Sequence, residues 1–358
     1  MDKSPEKLEI PDTPSELDAP LAEQTPAAEP AAEFAEPVEP WRKVRALAYK
    51  QLDRFLSYEP KVLRGDDPDA IHDMRVASRR LQQILDLLYA NPRPREVRRL
   101  RWRIRRCRRA LGDVRNCDVL LAHIHQILAR KRAARREAWT AVHHYLRARR
   151  AASFLRAMRK LSKINLAVFY VRMRRCLGEA ATLDSPRDTH ATQEAALGEP
   201  PAARIFPEQI ARALDTVWSA FTDQIELSHR DPRAPVIHGV RIAAKRLRYL
   251  LEVVHEFDVA GSGEALAWLR QLQQHLGDWH DREILEQMMV EMIARPELLR
   301  EQLPLVMEIE KLILRNRDAK REFERKYYEM TSRSSEMQRL NDWAAYLLAS
   351  PSAALARA

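Results

Sequence analysis

The chain has 358 residues, 46% of them hydrophobic, enough for one large domain or two fused similar ones. Its 8 glycines and few alternating β-branched runs argue against a sheet protein, and no stretch approaches the roughly 18 apolar residues of a membrane span. The net charge of +10 is unevenly placed: residues 1–40 carry eleven Asp and Glu against two Lys, or −9, which leaves +19 on the rest. A body this basic, largely through Arg, expects a polyanion or an anionic surface as its partner.

Residues 1–40 hold eight prolines among Ala and Glu and read as a disordered acidic tail. An acidic N-terminus is neither a secretory signal nor a transit peptide, so the cytoplasm is the expected compartment. From Trp41 onward the chain reads as helix after helix, the first carrying Val44, Leu47, Leu52 and Leu56. Asp67-Pro68 is a helix start, with Asp as N-cap and Pro at the first helical position. The helix that follows contains Ile71-His72-Asp73-Met74-Arg75-Val76-Ala77-Ser78-Arg79-Arg80-Leu81. At about 100° per residue, His72, Arg75, Arg79 and Gln83 fall on one stripe. Met74, Ala77, Leu81, Leu85 and Leu88 take the opposite, core-facing side. Asn91-Pro92 marks the expected end.

Residues 93–109 hold ten Arg, yet Val97, Leu100, Ile104, Cys107 and Leu111 keep helical spacing, so this is an Arg-coated packed helix. Leu111-Gly112-Asp113 reads as its close, with Gly in the left-handed position and Asp capping the next helix. Periodicity continues to about Gly178, with basic clusters at Arg130–Arg136 and Arg147–Arg150. Residues 179–204 read as a linker, and the second half begins near Pro207. There the stripe returns as Ile237-His238-Gly239-Val240-Arg241-Ile242-Ala243-Ala244-Lys245-Arg246-Leu247. His238, Arg241, Lys245 and Arg248 line one face, with Val240, Ala243, Leu247, Leu251 and Val254 behind. Leu276-Gly277-Asp278 repeats the glycine motif at an offset of 165, against 166 between His72 and His238. Two motifs repeated at one spacing indicate an internal duplication. A long charged helix over 304–330 and a last one over 335–349 follow. The expected architecture is all-α: two similar bundles, 41–178 and 205–350, about a central basic groove or pore.

Cys107, Cys117 and Cys176 have no zinc or redox spacing and read as buried, reduced thiols. His123, His125, His143 and His144 lack chelating partners, so neither a metal nor any other cofactor is expected. No phosphate-binding glycine loop or nucleophile elbow appears. Asp113, Asp118, Asp278 and Glu283 read as caps and organisers of Arg side chains. Trp102, Trp218 and Trp268 read as core residues, which leaves no aromatic series for base stacking and makes nucleic acid the weaker of two polyanion classes.

These paired motifs resemble the CHAD family, the conserved histidine α-helical domain. The first half matches at His72, Arg75, Arg79, Arg80, Leu81 and at Leu111-Gly112-Asp113-Val114-Arg115-Asn116-Cys117-Asp118-Val119-Leu120. The second matches at His238, Arg241, Lys245, Arg246, Leu247, Arg248, Tyr249 and at Leu276-Gly277-Asp278. The resemblance implies two helical bundles around a pseudo-two-fold axis, with a basic groove that binds inorganic polyphosphate and with no known catalytic reaction. The residues it points to are His72, Arg75, Arg79, Arg80, His238, Arg241, Lys245, Arg246 and Arg248. Arg105 and Arg270, at equivalent places before the two glycines, and Arg115, after the first, join them. Gln82 departs from the family pattern at the place Arg248 keeps, and His280-Asp281 departs after the second glycine. Glu322-Phe323-Glu324-Arg325-Lys326 spells the hallmark of the triphosphate-tunnel domain that many relatives carry, but on a charged helix, so a stand-alone polyphosphate binder is expected, associated with polyphosphate granules or scaffolding. Nucleic-acid binding and a polyphosphate-processing enzyme are the alternatives.

Overall fold

The computed structural model describes residues 40–89, 93–130, 134–183, 201–332 and 334–351, with side chains described throughout except at 179–183 and 201–205. All of these fall in the second of two units, residues 1–38 and 39–358; the acidic tail lies outside the described residues. They form thirteen helices and no strand: α1 (Pro40–Ser57), α2 (Glu59–Arg64), α3 (Pro68–Leu88), α4 (Arg95–Ala110), α5 (Gly112–Leu128), α6 (Arg136–Leu161), α7 (Leu166–Leu183), α8 (Pro201–Arg230), α9 (Ala234–His255), α10 (Ser262–Ile293), α11 (Pro296–Glu301), α12 (Leu303–Ser332) and α13 (Ser335–Ala349).

The start of α3 follows from its sequence. The Asp67 carboxylate accepts the amides of Asp69 at 3.0 Å and Ala70 at 2.9 Å, and these bonds, the Ala70 amide first, hold its pKa below the usual carboxylate range. Asn91-Pro92, the expected stop, lies outside the described residues, and α3 ends at Leu88. α2 closes on Gly65 at φ +78°, where a Cβ would lie 2.3 Å from the Phe154 ring of α6. The Gly65 carbonyl also accepts Arg150 Nη2 at 2.8 Å, and Arg150 is anchored by the buried Asp118. Gly65→Ala is therefore expected to lose about 2 kcal/mol in a urea melt, from left-handed strain plus overpacking; wild-type stability would show that the ring simply moves aside.

The glycine motifs behave differently from the sequence reading. Gly112 is not left-handed: the bend falls on Leu111 (φ −84°, ψ 2°), Gly112 opens α5, and no side chain caps it. At the second motif there is no bend, and α10 runs through Gly277 unbroken. Packing explains the difference. On either side of Gly277, His275 Nε2 meets the Phe323 carbonyl at 2.6 Å and Trp279 Nε1 donates to Glu324 at 3.0 Å. These clamp α10 to α12, outweighing the ~1 kcal/mol that a mid-helix glycine costs. Likewise Pro207 lies inside α8 rather than at its start, and α7 and α8 extend into the stretch read as a linker, of which 184–200 lies outside the described residues.

Two apolar cores draw on both halves of the chain. The larger runs from Leu52, Leu81 and Ile104 to Leu250, Leu272 and Leu340. The smaller joins Ile124, Val142 and Leu146 of α5 and α6 to Leu285, Met289, Ile309 and Ile313 of α10 and α12. All three cysteines are buried and unbridged, and burial pushes the Cys107 and Cys117 thiols up to about 12 and about 11. α3 packs against α1 and α9, and α9 packs in turn against α8 and α10. Gly239 permits the close approach of α8: a Cβ there would sit 2.1 Å from the Gln224 amide oxygen.

Candidate functional site

The 3–4 spacing that buries Met74, Ala77 and Leu81 on α3, and Val240, Ala243 and Leu247 on α9, turns the two polar stripes away from the core. Because the helices lie side by side, the stripes meet. Lys245 of α9 is crowded by Arg241 and Arg248 of its own helix and by Arg75 and Arg79 of α3; burial first, and these charges second, push its amine down to about 6. Arg75 is pushed down to about 9 by burial and by Arg79, Arg108, Arg115 and Arg241, and Arg241 to about 10 by burial, against the opposing pull of Asp281. Six cations, Arg75, Arg79, Arg108, Arg115, Arg241 and Lys245, thus form one cluster, and among the described residues none has a carboxylate at ion-pair distance.

Arg75 is held from α4: its Nη1 donates to the Arg108 carbonyl, one of the free carbonyls at the C-terminal end of that helix. Arg108 itself is pushed down to about 10 by burial, then by Arg79 and Arg105. Two buried donors in the cluster, Arg108 Nη1 and Arg241 Nε, have no hydrogen-bond partner among the described residues. Buried donors are rarely left so, and an anion seated over the cluster would satisfy them.

The histidines frame the cluster. Each stands four residues past the first residue of its helix, His72 on α3 and His238 on α9. His72 is exposed at the rim; the protein around it and the Arg115 charge lower its pKa. His238 is half-buried and lowered by burial, Arg241 and Lys245. Its ring lies 4.9 Å, centroid to centroid, from His280 of α10, which burial and the Arg241 charge push down to about 3. The same cations oppose burial at Asp281, whose carboxyl is nonetheless raised.

Other residues singled out in the sequence are placed differently. Arg80 of α3 pairs with Glu252 of α9 at 2.7 Å, and Arg248 holds the other oxygen of Glu252 at 3.1 Å while lying 4.7 Å from the Tyr249 ring centre. Arg246, the counterpart of Arg80, places its charge near Asp86 of α3, whose ion-pair partners are Arg93 and Arg101. Arg105 is exposed on α4 beside Arg108. Arg270 is exposed on α10 and does not figure among the charges acting on the cluster. Trp218 and Trp268 are half-buried and buried, but Trp102 is 54% exposed, contrary to its reading as a core residue. Of the acids read as caps or organisers of Arg side chains, Asp118 holds Arg150, whereas Asp278 accepts from Gln274 and Glu283 pairs with Lys320.

Sequence reasoning missed Arg108 and took His280 only as a departure from pattern. Nothing in a run of ten arginines sets Arg108 apart. His280 carried a signal: it stands three residues past Gly277, as Arg115 stands three past Gly112.

The family model of the CHAD domain matches residues 46–290. The chain belongs to the CHAD family. CHAD domains are associated with polyphosphate and are generally binding or structural modules rather than catalysts. The fold is similar to the crystal structure of the CHAD domain from the plant Ricinus communis, with a TM-score of 0.53 at 21% identity over 80% of this chain and 91% of that one. A search of curated proteins returned no match to the chain. Helices α11 to α13 lie beyond the matched CHAD region. Among the described residues, no helix is long and apolar enough to cross a membrane.

Proposed function

We propose that this CHAD chain binds inorganic polyphosphate, or a similar phosphate polymer, without transforming it, over the cationic cluster between α3 and α9. The observation that carries the reading is Lys245 pressed among Arg75, Arg79 and Arg241 with no ion-paired carboxylate among the described residues. Such a cluster repels itself and costs folding free energy, which an anionic polymer offsets. Arg supplies forked donors, and steps of three and four residues set cations about 5–6 Å apart along each helix. Arg75, Arg79, Arg108, Arg115, Arg241 and Lys245 contact the polymer, with His72 and His238 at its edges. Arg80 acts through its α3–α9 ion pair with Glu252, which Arg248 steadies from within α9, fixing the spacing of the two rows, while Arg246 faces Asp86. A bound polymer that is held rather than cleaved suits storage, scaffolding or a place on cytoplasmic polyphosphate granules.

A salt titration tests it. Roughly six phosphate contacts predict a loss of about a thousandfold in affinity between about 50 and 200 mM salt. RNA should displace bound long polyphosphate only at large excess. A flat salt response, or ready displacement of bound polyphosphate by RNA, would overturn the reading.

A further inference from the structure

Helix α4 carries a second cationic face, distinct from the α3–α9 cluster. Its core side is fixed by Val97, Leu100, Ile104 and Cys107, all buried. Arg95, Arg98, Trp102, Arg105 and Arg109 follow one another at steps of three and four, so they share a stripe within roughly 80° that runs about 21 Å along the axis. The four arginines are exposed, and none has a carboxylate partner among the described residues. At the centre stands the indole of Trp102, 54% exposed, with the Arg106 guanidinium 5.0 Å from its ring centre. A large aromatic left open on a helix with an otherwise well-buried apolar side is the informative departure.

We propose that this face of α4 binds single-stranded nucleic acid, its arginines taking phosphates and Trp102 stacking an unpaired base. The chemistry selects this partner. Polyphosphate satisfies the arginines but offers no planar group to the indole. Duplex bases are already stacked and cannot reach it, whereas single strands present phosphates and open base faces together. The guanidinium of Arg106 against the indole leaves the other ring face for the base, a cation–aromatic–base sandwich. A membrane surface fits poorly, because interfacial helices insert a whole apolar side and here that side is in the core. The face approaches the α3–α9 cluster at its C-terminal end, where Arg105 and Arg109 act on Arg108, and its recognition of a base rests on Trp102, so this proposal does not depend on polyphosphate being the ligand of the cluster.

The test compares the full chain and its Trp102→Ala and Trp102→Phe variants against three probes: a short oligothymidylate, an abasic strand of the same length, and polyphosphate. Stacking should give wild type a preference for the oligothymidylate over the abasic strand, with quenching of tryptophan fluorescence. Trp102→Ala should bind the oligothymidylate about tenfold more weakly while keeping wild-type affinity for the abasic strand and for polyphosphate, and Trp102→Phe should retain most of the binding. Unchanged oligothymidylate affinity in Trp102→Ala overturns the proposal. Equal losses on all three probes overturn it too, since they would trace to charge or folding rather than to a base. So would anionic vesicles shifting Trp102 emission while the strands do not.

Discussion

Lys245→Met is expected to raise the melting temperature and weaken polyphosphate binding at the same time. The amine has an ordinary pKa near 10.5 and is pushed down to about 6 in the folded protein. A basic group lowered on folding opposes folding: the penalty is fully present below pH 6, shrinks as pH rises, and is gone above the ordinary value. At pH 7 most of it remains. Exchanging the amine for an apolar group of similar length removes that penalty. A gain of about 2 kcal/mol is in line with replacing uncompensated buried charge by hydrophobic packing, and scanning calorimetry would register it as a rise of a few degrees. The same change removes a buried charge-assisted contact to the polymer, about 2 kcal/mol or more than tenfold in affinity. A variant that is less stable, or that binds as wild type does, would refute the assignment of Lys245 to the site.

Polyphosphate binding should take up protons, and its affinity should fall as pH rises from about 6 to 9. A polyanion laid over the cluster favours every charged form beneath it. Lys245, mostly neutral in the free protein above its pKa of about 6, is recharged on binding. His238, His72 and His280, all lowered in the free protein, move the same way. With nearly one proton taken up at Lys245, affinity drops by up to about tenfold per pH unit across that window. Calorimetry in buffers of different ionisation enthalpy counts the protons directly. Lys245→Arg, which stays charged, should flatten the profile. Proton release, or a profile unchanged in that variant, would contradict this account.

Local chemistry made much of the fold readable. Asp67 before Pro68 marks the start of α3 because a carboxylate satisfies free amides there and proline lacks an amide to satisfy. The helices read over 304–330 and 335–349 match α12 and α13 to within two residues. Glycine misled, because its cost is small beside packing: α12 holds α10 straight through Gly277, while α5 starts at Gly112 with no left-handed turn. Trp102 misled for the opposite reason. Its size suggested the core, although two residues from both Leu100 and Ile104 places it about 200° from each, on the solvent side.

Which residues share a helix face was settled by the sequence alone, since a period near 3.6 admits one partition of each helix. It grouped His72 with Arg75 and Arg79, and His238 with Arg241 and Lys245. What each face confronts is a matter of packing between segments more than 150 residues apart. Only the tertiary structure could place Lys245 between Arg75 and Arg241, bring Arg108 and His280 to the same cluster, and divert Arg80 and Arg248 to Glu252. Whether an arginine faces open charge or a carboxylate depends on Coulomb contacts a few ångströms long, and those exist only once α3 and α9 lie side by side.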